Sequence, residues 1–192
     1  MSNAAVSNMD VPYPHGPGRR SNAYHVAAVG KGWWDQYRTT PSGRLILNHD
    51  QVLAKVALIF SELVEADEES PDKPTRYTES GKPEGYFIEL ADTYIRILDL
   101  LGALGWVCSG DKTSVDLDGT ITARWLGRAI EAIRVADLSD PDGEPDAPLA
   151  EAREFLWRAA CGLWSTPGVP EAVKVKHAYN HTRAYRHGGK KA

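Results

Sequence analysis

Two pairs of acids have the types and spacing to do chemistry: Glu62 and Glu65 in SELVEADEE, and Glu89 and Asp92 in GYFIELADTY. On a helix, residues three apart share a face and are separated by about 4.5 Å along the axis, so each pair can present two carboxylates to one place. If the two helices pack antiparallel, the pairs face each other. Two like charges about 4 Å apart repel by roughly 4 kcal/mol at an effective dielectric of 20. Four together call for a hard dication, and all-oxygen ligation suits Mg²⁺ or Mn²⁺. The plainer alternative needs no metal. E-x-x-E is common on solvated helix faces, and Arg96 offers an ion pair to Asp92 or Asp99.

A second group of residues closes the chain, KHAYNHTRAYRHGGKKA. Lys176, Asn180 and Arg183 follow an i, i+4, i+7 pattern and share a helix face, which His187, the Gly188-Gly189 pair and Lys190 extend. Beyond Glu171 there are six Lys or Arg and no acid. Such a face can hold phosphate oxygens, and it can equally be a solvated basic tail. The adjacent Trp33 and Trp34 offer either a stacking surface for a nucleobase or ordinary core packing. No H-E-x-x-H occurs and no E-x-x-H accompanies the acids, which argues against a zinc protease and against di-iron oxygen chemistry. The absence of G-x-x-x-x-G-K-[ST] rules out a P-loop.

The elements that must position these residues read as helices. Glu84–Leu104 has apolar residues around most of its circumference, while Glu89, Asp92, Arg96 and Asp99 share a wedge roughly 80° wide. This pattern predicts a largely buried helix with an acidic seam, which burial makes costly unless cations or hydrogen bonds compensate it. Asn48 with Gln51 resembles a capping box and opens a helix over His49–Glu69, with Val52, Leu53, Val56, Ile59, Phe60 and Leu63 as its stripe. Further helices are expected at Tyr24–Tyr37, Thr120–Leu138, Asp146–Trp164 and Pro170–Tyr185. A turn at Thr39–Gly43 and an irregular connection over Trp106–Gly119 complete the chain, and no period-two alternation or internal repeat is visible. The expected fold is an all-α helical bundle.

The chain has 192 residues, a net charge of −4 and 42% hydrophobic content, which fits one domain with a real core. Residues 1–22 are polar and rich in Pro and Gly and read as a disordered tail, leaving 23–191 as the domain. The charge disfavours nucleic acid or anionic lipid as a general partner. Cys108 and Cys161 fit no metal spacing and read as reduced thiols. No apolar run reaches membrane-spanning length and no signal-peptide core is present, so a cytoplasmic protein is expected.

Together these segments resemble the MazG-like branch of the all-α nucleoside triphosphate pyrophosphohydrolases. That family's pattern is E-x-x-E, a gap of one to two dozen residues, then E-x-x-D. Here it reads SELVEADEE followed by GKPEGYFIELADTYIRILDLLGALG. The ending KHAYNHTRAYRHGGKK is similar to the K-x-x-Y-N-x-T-R-x-Y-x-H-G-G-K close of phage and bacterial members, and GWWD is also familiar from them. The likeness covers residues 24–105 and 169–191. The stretch 107–168 departs from it, adding about two helices before the C-terminal one, and Ala184 stands where Pro is expected.

The resemblance implies hydrolysis of a nucleoside triphosphate to monophosphate and pyrophosphate, with Mg²⁺, or Mn²⁺, held by Glu62, Glu65, Glu89 and Asp92. One of those acids could instead serve as the base for the attacking water. By residue type, Lys176, Arg183 and Lys190 are the expected phosphate contacts. Asn180, His187, Trp33 and Trp34 are further substrate-binding candidates, and a homodimer or larger homo-oligomer is expected. The rival expectation is a non-catalytic helical module that binds nucleic acid or an acidic partner through its basic C-terminus. A nucleotide sensor lies between the two.

Overall fold

The computed structural model describes residues 20–106 and 119–184. Among the described residues, six α-helices carry the fold: α1 (Arg20–Gly30), α2 (His49–Asp67), α3 (Tyr86–Ala103), α4 (Gly119–Ile133), α5 (Ala147–Ser165) and α6 (Val169–Thr182). The class is all-α, as the periodicity predicts. Two minimal antiparallel hairpins join the helices, β1 (Arg38–Thr39) with β2 (Leu45–Ile46), and β3 (Arg76–Tyr77) with β4 (Pro83–Glu84). Each pairs only two residues per strand, Arg38 with Ile46 and Thr39 with Leu45 in the first, Arg76 with Glu84 and Tyr77 with Pro83 in the second. Strands this short carry no alternation to read in a sequence.

The organising helix is α3. Ile88, Leu90, Ala91, Tyr94, Ile97, Leu98, Leu100 and Leu101 are all buried, and α1, α2, α5 and α6 all pack on it. α4 lies outside this layer, against α5 and α2. Along the α2–α3 pair, Lys55 acts on the Asp99 charge while Glu62 meets Glu89 and Asp92. Stepping back along α2 thus steps forward along α3, and the two helices run antiparallel.

Local chemistry sets the element ends. Asn48 accepts from the Gln51 backbone N–H, and Gln51 Oε1 accepts from the Asn48 backbone N–H, completing the capping box of α2. Asp146 caps α5 by accepting from the Leu149 N–H. Gly168 precedes α6 at φ 93, where L-residues are strained, and a Cβ there would sit 3.1 Å from the Phe87 ring. This close approach brings the start of α6 down onto the first turn of α3.

Several boundaries differ from the sequence reading. The first helix begins at Arg20 and stops at Gly30 instead of covering Tyr24–Tyr37. Gly30 and Gly32 interrupt it, and Gly32 takes φ 78. Trp33 and Trp34 therefore stand in the turn after α1, not on a helix. Residues 20–22 belong to α1 and not to the tail. α4 ends at Ile133 and α6 at Thr182, earlier than the apolar pattern alone suggests. The tail over residues 1–19, the connection over 107–118, Cys108, His187 and Lys190 lie outside the described residues. Among the described residues, no helix is long and apolar enough to cross a membrane.

Candidate functional site

The antiparallel α2–α3 pair brings Glu62, Glu89 and Asp92 together, with one carboxylate oxygen from each lying within 4.8 Å of the others. Glu62 and Glu89 are buried, and Asp92 is half-buried. Two cations compensate them. Lys176 of α6, 1% exposed, places Nζ 2.6 Å from Asp92 Oδ2 and 3.9 Å from Glu89 Oε2. Arg96 Nη2 lies 2.7 Å from Glu62 Oε1. Arg96 thus pairs across the helix interface and not with Asp92 or Asp99 on its own helix.

Three carboxylates against two cations leave an excess of negative charge in a desolvated place. Burial pushes the Glu89 carboxyl up to about 7, opposed by Lys176 and reinforced by Asp92. Burial also raises Glu62, against the attraction of Arg96. Glu65, the fourth predicted acid, does not join the group. It is exposed, one turn beyond Glu62, and close enough for its charge to act on Glu62 and Lys82.

Beside the acids opens a cavity of about 420 Å³, within the size range of small-molecule sites. Asp92, Arg96 and Asp99 line it along the seam of α3. Trp33 and Trp34 form another part of its wall, and Asn180 and Arg183 come from α6 and its C-terminal end. Asn180 Oδ1 is a buried acceptor with no donor among the described residues, as is the Arg96 Nε donor with no acceptor. Burial lowers the pKa of Arg183. Among the described residues, the predicted binding residues Trp33, Trp34, Asn180 and Arg183 share this cavity, while Lys176 is spent on the acids.

At the Trp end the seam is satisfied differently. Asp99 Oδ1 accepts from His25 Nδ1 at 2.8 Å and from Trp34 Nε1 at 2.9 Å. Burial raises the Asp99 carboxyl, while those two donors pull it down. Trp34 is 3% exposed, and Lys55 Nζ stands 4.4 Å from its ring centroid.

Sequence reasoning missed His25 and the compensating pairing of Arg96 with Glu62. It also passed over Lys82, which lies in the GKPEG turn before α3. Lys82 is held by Glu84 at 3.3 Å; partial burial works against its charge, but the Glu84 bond and the fields of Glu89 and Glu65 raise its pKa. Only its position within the GKPEG motif singled it out. Compared with known proteins, the chain matches no family model, no curated protein and no solved structure.

Proposed function

We propose that this protein is a divalent-metal-dependent hydrolase of nucleoside triphosphates, cleaving the α–β phosphoanhydride to give monophosphate and pyrophosphate. One observation carries the reading: a buried acidic group, Glu62, Glu89 and Asp92, adjoins a cavity walled by two tryptophans and by cationic and amide side chains. The donor set fits a hard dication, because it is all oxygen and its charge exceeds that of Lys176 and Arg96. Glu62, Glu89 and Asp92 would hold Mg²⁺ or Mn²⁺. When bound, the ion supplies charge neutralisation on the phosphates and polarisation of a water.

The chain's own residues do the rest. Arg96 and Arg183, on the cavity wall, carry positive charge toward the phosphates, and Asn180 Oδ1, an unmatched acceptor, takes a donor from the sugar or base. Trp33 packs the nucleoside end. The water oxygen bonds the α-phosphorus as the α–β bridge breaks, and the bridging oxygen leaves with the electron pair on pyrophosphate. The water's proton passes to a carboxylate, and Glu65, exposed and outside the buried group, is the acid we assign to it. The likeness to MazG-like enzymes in E-x-x-E, E-x-x-D and the Y-N-x-T-R segment supports the same reaction.

The test is pyrophosphate release from a panel of canonical, deoxy- and modified triphosphates with Mg²⁺. At least one should yield pyrophosphate without orthophosphate, and Glu89→Gln should lower the rate at least ~100-fold with helicity unchanged. If every nucleotide survives prolonged incubation, the reading fails.

A second reading has its own observation. The short contacts from Lys176 to Asp92 and from Arg96 to Glu62 can be a buried ionic network with no chemistry, in a module that only binds. In that case Mg²⁺ adds nothing to thermal stability, whereas a metal site is stabilised by its ion.

A further inference from the structure

On α6, Lys176 turns to the acids while His177 and His181 line the cavity wall. The two histidines are four residues apart, about 40° around the helix, so their rings meet one turn above the other. Their Nε2 atoms lie 3.0 Å apart, with ring centroids 4.4 Å apart and planes at 80°. At that separation one Nε2 carries the proton and the other accepts it; with both neutral rings as the Nδ1–H tautomer, the two Nε2 lone pairs are free for a common ion.

We infer that His177 and His181 form a chelating site for a late first-row transition-metal dication such as Zn²⁺, separate from the carboxylate group and open toward the cavity. The bite fits. A metal 2.0–2.1 Å from each nitrogen would subtend about 95° at a separation of 3.0 Å, between square and tetrahedral coordination. Burial and the neighbouring His181 lower the His177 pKa, which disfavours the charged imidazolium. The Tyr24 ring meets His177 edge-on with centroids 4.9 Å apart, which holds its imidazole plane.

The ligand atoms select the kind of metal. Imidazole nitrogens favour Zn²⁺, Ni²⁺ and Cu²⁺ over Mg²⁺, which takes oxygen ligands. Lys31 Nζ donates to the His181 and Arg183 carbonyls at 2.8 and 2.7 Å, and Arg183 lines the same wall. These cations oppose any dication, which leaves the imidazole–metal bond as the driving interaction. With two protein ligands, the remaining positions face the cavity, where an anionic oxygen drawn in by Lys31 and Arg183 can complete them.

The test is Zn²⁺ titration by calorimetry at neutral pH in a Glu89→Gln background, which disables the carboxylate group. This background should bind Zn²⁺ in the presence of excess Mg²⁺. Adding His181→Ala, at an exposed position, should weaken binding by about tenfold or more, since a direct ligand is worth no less than an outer-shell partner. Adding His177→Gln should do the same, and far-UV circular dichroism should be unchanged in both. ¹⁵N spectra should show Zn²⁺ shifting the Nε2 signals of these two histidines. Affinity within about twofold of the parent in both variants, or no Zn²⁺ binding by the parent, overturns the assignment.

Discussion

The seam of α3 solves the same problem twice, in two ways. Near its C-terminal end, the single acid Asp99 receives two directed donors, His25 Nδ1 and Trp34 Nε1. Near its N-terminal end, Glu89 and Asp92 meet Glu62, and three carboxylates share Lys176 and Arg96. The first arrangement satisfies one charge with hydrogen bonds that rigid side chains supply from the turn after α1 and from α1 itself. The second crowds like charges and lets burial hold Glu89 near 7. A half-buried acid with its own donors is complete as architecture. A crowded group short of positive charge is where an added cation gains most, and so where chemistry is expected.

That contrast can be broken at either end. The largest stability effect should come from Lys176→Met. It leaves Asp92 and Glu89 without their buried cation and should cost about 3–5 kcal/mol in metal-free protein. By thermal denaturation this is a fall of roughly 2–4 °C per kcal/mol for a chain of this size. Mg²⁺ should restore part of the loss by linkage. Restoration to no degree would favour the purely ionic network.

At the other end, Trp34→Phe removes one donor from half-buried Asp99 and should cost about 1–2 kcal/mol in denaturant unfolding. That cost should be the same with and without Mg²⁺. A Mg²⁺-dependent cost would show that the two ends are not independent.

The smallest effect concerns His177, whose pKa is lowered to about 4. The folded protein then binds fewer protons than the unfolded chain between pH 4 and the ordinary histidine value of 6.5. Its contribution is therefore intact above that window and is lost as pH falls through it. His177→Gln should flatten this acid loss by on the order of 1 kcal/mol at pH 5, once solvent screening is allowed for. Urea unfolding at a series of pH values measures it.

Much of this was legible because local rules dominate helices. The buried character of α3 follows from its apolar periodicity, and the Asn48–Gln51 and Asp146 caps from side-chain chemistry alone. The convergence of Glu62 with Glu89 and Asp92 follows from i, i+3 spacing once antiparallel packing is assumed. What was not legible depends on pairing across the fold. The i, i+4, i+7 spacing put Lys176, Asn180 and Arg183 on one helix face, yet α6 ends before Arg183, and contact with α3 turns Lys176 to Asp92 while the other two stay at the cavity. Arg96 had acids in reach on its own helix, but α2 presents Glu62 at 2.7 Å. Trp33 and Trp34 left the helix because two nearby glycines end it, a local signal that the apolar pattern outweighed. His25 carries no periodic signature at all. Its role exists only once α1 lies against α3.

The most direct measurement is turnover of a hydrolysable triphosphate with Mg²⁺ in ¹⁸O-labelled water, followed by ³¹P spectroscopy. Attack on the α-phosphorus predicts label in the monophosphate and unlabelled pyrophosphate as the co-product. Label in pyrophosphate, release of orthophosphate as the primary product, or no Mg²⁺-dependent product from any nucleotide would contradict it.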